Sequence, residues 1–221
     1  MDKMDSYNGW IFNKFARHIK GKVLEVGCGI GSITQYYAHS CDVTAIDISE
    51  EYIDIVRQRF ANIKNFNAHV QDVAKDVSGL GVGSFDAIIC SNVLEHIEDD
   101  IAVLNNMNKL LRKDGILMIL VPAMPVIYGT LDEYLGHHRR YSNKEIRTKL
   151  ESAGFKIEEQ MNINIFGAMG WFVSGRILKQ KILNQGLLST FNFLTPIFIF
   201  LENLIKFPMG LSVINICRKT K

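Results

Sequence analysis

The residues with the most chemical potential lie in one short stretch, Glu25-Val26-Gly27-Cys28-Gly29-Ile30-Gly31. Glycines at every second position let a backbone turn tightly and let a ligand approach it closely. A dinucleotide-binding loop has the pattern G-x-G-x-x-G and would place its third glycine at position 32, where this chain has Ser32. An acidic side chain two residues before the first glycine disfavours a pyrophosphate and attracts a cation. The loop therefore suits a ligand carrying an ammonium and a sulfonium group. Further along, Asp47 is placed to accept hydrogen bonds from both hydroxyls of a ribose, as an acidic residue about twenty positions past such a loop does, and Ile48 follows it. Asp72 can read an adenine amino group while Val73 packs on the ring, and Ser91 and Asn92 face the same crevice.

Two histidine sites offer proton transfer, since a neutral imidazole titrates close to physiological pH. His96 follows Glu95. His137 and His138 stand in the run Gly136-His137-His138-Arg139-Arg140-Tyr141, where Arg139, Arg140 and Tyr141 are candidate substrate-binding residues for an anionic group such as phosphate or carboxylate. His138 is the preferred general base, with His96 and His137 as alternatives. The structural alternative is that His137 and Arg139 only anchor their loop by pairing with Asp132 or Glu133, that His96 caps the helix after it, and that Glu95 is its solvated neighbour.

The elements that must position these residues follow from the periodicity. Residues 22–122 alternate short apolar runs with segments of helical period, the pattern of βαβ units and a parallel sheet. Five strands are expected at 23–26, 42–46, 65–70, 85–90 and 116–121, with the glycine loop opening a helix after the first. Ser49 caps a helix whose first turn holds Glu50 and Glu51. A second helix covers 99–111, and Asp114-Gly115 turns the chain into the fifth strand. Ser142 and Glu145 form a capping box for a third helix that Gly154 ends. The twenty or so residues of 122–141 lack a clear period, which suits a substrate loop.

The segments VLEVGCGIGSIT, AIDIS, QDV, FDAIICSNVLEHIED and LLRKDGILMILVP, in this order, resemble the class I S-adenosylmethionine-dependent methyltransferases over residues 20–160. The resemblance implies an α/β fold with a doubly wound, mostly parallel seven-stranded sheet, S-adenosylmethionine as cofactor and S-adenosylhomocysteine as product. It implies that Glu25, Gly27, Cys28, Gly29 and Gly31 hold the methionine end, Asp47 and Ile48 the ribose side, Asp72 and Val73 the adenine, and the stretch after Cys90 the sulfonium side. It also makes Tyr7 and Trp10, on an N-terminal helix within 1–20, candidates to close over the cofactor. The alternative is a helix that simply packs on the sheet. The family's small-molecule branch is the nearest in pattern. Two rivals are a non-catalytic cofactor-binding adaptor and a nicotinamide-dependent reductase, which Ser32 and Glu25 oppose.

At 221 residues the chain suits a single domain. Cys28, Cys41, Cys90 and Cys217 are scattered and the histidines show no metal-ligand spacing, so neither disulfides nor a metal is expected. Asp2 and Asp5 in a start without an apolar run argue against a secretory signal, which suggests a cytoplasmic protein. Up to Phe166 there are 18 Lys and Arg against 22 Asp and Glu, an acidic balance that disfavours nucleic acid as a partner. Ser91-Asn92-Val93-Leu94 also stands where amino-group methyltransferases of nucleic acids carry N/D-P-P-Y/F. After Phe166 the count is 7 against 1 in a stretch rich in Leu, Ile and Phe. Strands at 156–163 and 212–219 would complete the sheet around an insertion, 165–211. Its longest apolar run, 187–201, is too interrupted to span a bilayer. Helices are expected there, serving as a cover for the substrate, a homodimer face, or a platform on the inner membrane face with Lys179, Lys181 and Lys206.

Overall fold

A computed structural model describes residues 5–182, 185–205 and 207–220. Lys206, Asp2 and the rest of the first four residues lie outside the described residues. Seven strands form one sheet: β1 (Lys22–Val26), β2 (Asp42–Asp47), β3 (Phe66–Val70), β4 (Phe85–Ser91), β5 (Leu111–Pro122), β6 (Phe155–Ile163) and β7 (Ser212–Lys219). Their order is β3-β2-β1-β4-β5-β7-β6, with β7 antiparallel to both neighbours and the rest parallel. The order reverses at β1 and β4, so the crevice beyond their carboxyl ends is where a doubly wound sheet binds its ligand.

Alternation along the strands divides the core in two. Leu24, Val26, Ile88, Cys90, Leu117 and Ile119 face one layer, with α3 (Asp100–Leu110) and α5 (Asn143–Ser152). Val23, Ala87, Ile89, Met118, Leu120 and Ile214 face the other, packed with Trp10, Ile11 and Phe15 of α1 (Asp5–Phe15). The caps form as their residue types require: Ser49 Oγ accepts from Tyr52 N at the start of α2 (Glu50–Arg59), and Ser142 Oγ from Glu145 N. β5 starts earlier than expected, at Leu111. Asp114, at φ +60°, makes the anticipated turn as an irregularity inside the strand, between the pairs Phe85–Leu111 and Ala87–Ile116.

The helix expected after the glycine loop is absent. Only a 3₁₀ turn, Thr34–Tyr36, stands there. In this segment Glu25, whose carboxylate accepts from Thr34 Oγ1 at 2.5 Å and from Tyr37 Oη at 2.6 Å, ties the turn to β1. These two residues are three apart, and a 3₁₀ turn brings i and i+3 onto one side.

Residues 122–141 also depart from an irregular loop. They contain a 3₁₀ turn, Pro125–Ile127, and a short helix, α4 (Thr130–Tyr134). The insertion between β6 and β7 comprises α6 (Ile165–Trp171), a π-helical continuation (Phe172–Ile177) and α7 (Gln185–Leu204). No helix of the described residues is long and apolar enough to cross a membrane.

Candidate active site

The glycine loop is built around Asp47. Gly29 N donates to Asp47 Oδ2 at 2.9 Å and Ser49 N to Oδ1 at 3.0 Å, so the carboxylate at the end of β2 is held beside the loop. Gly29 has φ +51°, and a Cβ there would point into open space with nothing within 4 Å, which leaves a cradle for a ligand. Gly27, at φ +70°, is needed for a different reason: a Cβ would collide with Val93, so only glycine lets β1 approach the segment after β4. Ile48 is 75% exposed at the crevice. Asp72, beyond β3, accepts from Ala74 N at 2.9 Å and remains partly exposed.

Val73, expected to pack on an adenine ring, is buried in the core with Leu24, Val26 and Leu104, while the Ile48 side chain is exposed. Cys28 packs with Ala38, Ile53 and Val56, and its N–H, like that of Gly27, donates to Ile46 O. Burial, with Glu25 and Asp47 nearby, pushes its thiol well up. Cys28 is loop scaffold. Burial likewise pushes the Glu25 carboxyl up to about 7, with the Thr34 and Tyr37 hydroxyls opposing.

Beside the crevice lies a cavity of about 500 Å³. Asn92, just past β4, lines it, and the next residue, Val93, packs against Gly27 of the glycine loop; Asn92 has φ +53° and its N–H donates to Leu120 O. Tyr7 of α1 reaches the cavity from another side, with its hydroxyl bonded to the side chains of Asn164 and Ser212, while Trp10 is buried against the sheet. Trp171, Ser174 and Phe191 bring α6, its π-helical continuation and α7 over the cavity as a cover.

Glu95, His96, His137 and Arg140 form the polar wall. Asp132 organises it: its carboxylate meets His137 Nδ1 at 2.9 Å and accepts from Arg140 Nε at 2.7 Å, Trp171 Nε1 at 3.0 Å and Gly129 N at 3.1 Å. Burial pushes Asp132 up, but the bonds from His137 and Trp171 and the charge of Arg140 outweigh it, so the carboxyl sits below its ordinary value. With Nδ1 committed to a carboxylate, the Nε2 of a neutral His137 is the nitrogen left to accept a proton. His96 packs edge-on against His137 at 4.8 Å, and burial, with His137 beside it, holds its pKa below the ordinary histidine value.

Glu95, a solvated neighbour in the structural alternative, is 0% exposed, and among the described residues neither carboxylate oxygen has a hydrogen-bond partner. Burial pushes it up to about 8. Its type and position after β4 were visible in the sequence, but nothing there marked it as turned inward. Glu95, His96 and His137 also place ligand atoms within 4.8 Å of one another, an arrangement that could hold a metal ion. The spacing argument against a metal therefore does not hold here, because the trio is assembled from two loops.

The other half of the histidine–arginine run faces elsewhere. His138 is exposed and outside the cavity lining, held through its N–H by Glu95 O at 2.8 Å. Arg139 pairs with Asp100 at 3.0 Å and donates to Glu98 O, fastening the loop to α3. Tyr141 is fully buried, with its hydroxyl on Asp100 Oδ2 at 2.9 Å. Arg140 lines the cavity, its Nε meets Asp132, and its Nη1 donates to Ala123 O and Leu211 O.

Residues 11–160 match the family model described as a methyltransferase domain. The chain belongs to the class I S-adenosylmethionine-dependent methyltransferases. It is 30% identical over 153 residues to the ubiquinone biosynthesis O-methyltransferase of Xanthomonas axonopodis pv. citri, covering 62% of this chain and 64% of that protein. The chain spans about half the length of the curated relatives it matches. Among solved structures, a putative methyltransferase from Bacillus halodurans shares the fold at a TM-score of 0.68 and 20% identity, covering 98% of this chain and all of that one. The Haemonchus contortus phosphoethanolamine N-methyltransferase 2, bound to S-adenosyl-L-methionine, does so at 0.65 and 16%, covering 97% of this chain and 52% of that one. The methyltransferase match ends at residue 160, so the insertion that covers the cavity lies outside it.

Proposed function

We propose that this methyltransferase transfers a methyl group from S-adenosylmethionine to a hydroxyl of a small amphiphilic acceptor. The observation that carries the reading is His137, fixed through Nδ1 by buried Asp132, on the wall of a cavity that Asn92 also lines, next to Val93, which packs on Gly27 of the glycine loop. The crevice suits the cofactor: open space at Gly29, the held carboxylate of Asp47, the exposed face of Ile48 and buried Glu25 at its floor. When bound, the cofactor supplies a methyl group on a sulfonium centre open to in-line displacement. Asp47 takes the ribose hydroxyls, Asp72 the adenine amino group, and Glu25 the cationic methionine end.

The protein's remaining work is orientation and proton transfer. His137 Nε2 accepts the hydroxyl proton, Asp132 holds the resulting imidazolium, and Glu95, protonated at neutral pH, hydrogen-bonds the acceptor oxygen. Trp171, Phe191 and Tyr7 hold the apolar body of the acceptor and exclude water. The name of the Xanthomonas relative supports an oxygen acceptor on an apolar molecule. With both arginines internally paired, an acidic acceptor loses its support.

The test is incubation with methyl-labelled cofactor and source-cell extract, followed by partition of the label. Label in the organic phase is expected. Label confined to the aqueous phase would refute the amphiphilic acceptor. Tight S-adenosylhomocysteine binding with no transfer would favour a non-catalytic adaptor.

Glu25 gives the cofactor site a pH dependence. Its carboxyl, raised to about 7 in the free protein, is ionised when the cationic methionine end is bound. Binding below that pH must release a proton, so affinity for S-adenosylhomocysteine should rise with pH up to about 7 and then level off. The slope is about tenfold per unit on the acid side. Calorimetry between pH 5.5 and 8 reads it, and Glu25→Gln should flatten it. A slope unchanged in that variant would place the titrating group elsewhere.

A further inference from the structure

On α7 the exposed positions include Phe193, Pro196, Ile197, Phe200, Asn203 and Leu204, at the spacing of one helical face. This inverts the usual pattern, since the face turned to water is the apolar one. Phe193 is 81% exposed, Phe200 67% and Leu204 71%. The preceding segment repeats the inversion, with Met169, Ile177, Leu178 and Ile182 each more than half exposed.

The charges of the insertion are sorted as well. Its only acid, Glu202, is turned inward, where it accepts from Asn164 N at 2.8 Å and Ile165 N at 2.7 Å and so fixes the start of α6. Arg176, Lys179 and Lys181 are exposed. Among the described residues of the insertion, every outward charge is therefore positive. Exposed apolar side chains on a helix not long and apolar enough to cross a membrane, in an insertion whose described outward charges are all basic, are what an interfacial segment uses to lie on anionic lipid.

We propose that the outward face of the insertion docks on a bilayer surface carrying anionic headgroups. A second copy of the chain would suit the apolar stripe but not the surplus of one charge sign, which repels its own kind across a two-fold interface. Phe191, on the same α7, lines the cavity, so docking would bring the acceptor site next to the lipid. The docking itself does not depend on which acceptor is methylated.

The experiment is sedimentation of the full chain, without cofactor or acceptor, with phosphatidylcholine vesicles prepared with and without phosphatidylglycerol. Binding is expected with phosphatidylglycerol and should weaken as salt rises. Phe193→Ser with Phe200→Ser should lower the partition by about tenfold or more. Lys179→Glu with Lys181→Glu should abolish the preference for the anionic lipid. S-adenosylhomocysteine affinity, unchanged in both variants, verifies that they fold. No binding of the parent protein to either vesicle, or binding that both variants retain in full, would overturn the proposal. So would a solution dimer that the phenylalanine variant dissociates while vesicle binding stays absent.

Discussion

Asp132→Ala is expected to destabilise the fold by about 3–5 kcal/mol, because it strips the partner from a buried charge. The Arg140 side chain is 1% exposed and that of Asp132 0%. Arg140 keeps its bonds to Ala123 O and Leu211 O in the variant, but no negative charge remains in contact with the guanidinium. Glu95 is the nearest alternative counter-charge, and burial holds its carboxyl protonated near neutrality, so compensation would require it to ionise. The same substitution also leaves Trp171 Nε1 and Gly129 N without their acceptor. Urea unfolding of the two proteins measures the difference. A loss below about 1 kcal/mol would mean that Arg140 is rehydrated through the cavity and that the network is not the anchor described. Asp132→Asn, which keeps the shape and several of the bonds but not the charge, should fall between the two.

The parts of the fold governed by local rules were legible in the sequence. The strands announce themselves by apolar runs, α2 and α5 by Ser49 and Ser142, and the crevice by glycines whose conformations no other residue adopts cheaply. Asp47 could be placed because its neighbour in space, Gly29, is fixed by a repeated strand–loop geometry. The acceptor side was less legible for a physical reason. His137 and His138 are adjacent, and a short run between two elements sends successive side chains in opposite directions. Which one faces the cavity depends on Asp132 and Glu95, residues brought together only by tertiary structure. Arg139 and Arg140 divide in the same way, between Asp100 on one side and Asp132 on the other. The helix expected after the glycine loop is missing where buried Glu25 of β1 meets Thr34 and Tyr37, contacts across the fold that local propensity does not report.

His137→Ala should lower kcat by about 10² to 10⁴-fold, the usual contribution of a positioned base, while S-adenosylhomocysteine affinity stays within about twofold. The separation follows from geometry, since the imidazole lines the acceptor cavity and the cofactor crevice is built from the loop after β1 and the end of β2. His138→Ala is the matched control. It removes the neighbouring imidazole, and its tether to Glu95 runs through the backbone, which the substitution keeps. Its kcat should stay within about twofold of the parent. Single-turnover rates measured with saturating cofactor distinguish the two variants from any effect on binding. If His137→Ala keeps full activity, the proton leaves through His96, the other imidazole on the cavity wall, and His96→Ala becomes the variant that loses it. If His138→Ala is the slow one, the loop must rearrange when the acceptor enters, exchanging the two histidines at the cavity wall and breaking the bond between His137 and Asp132.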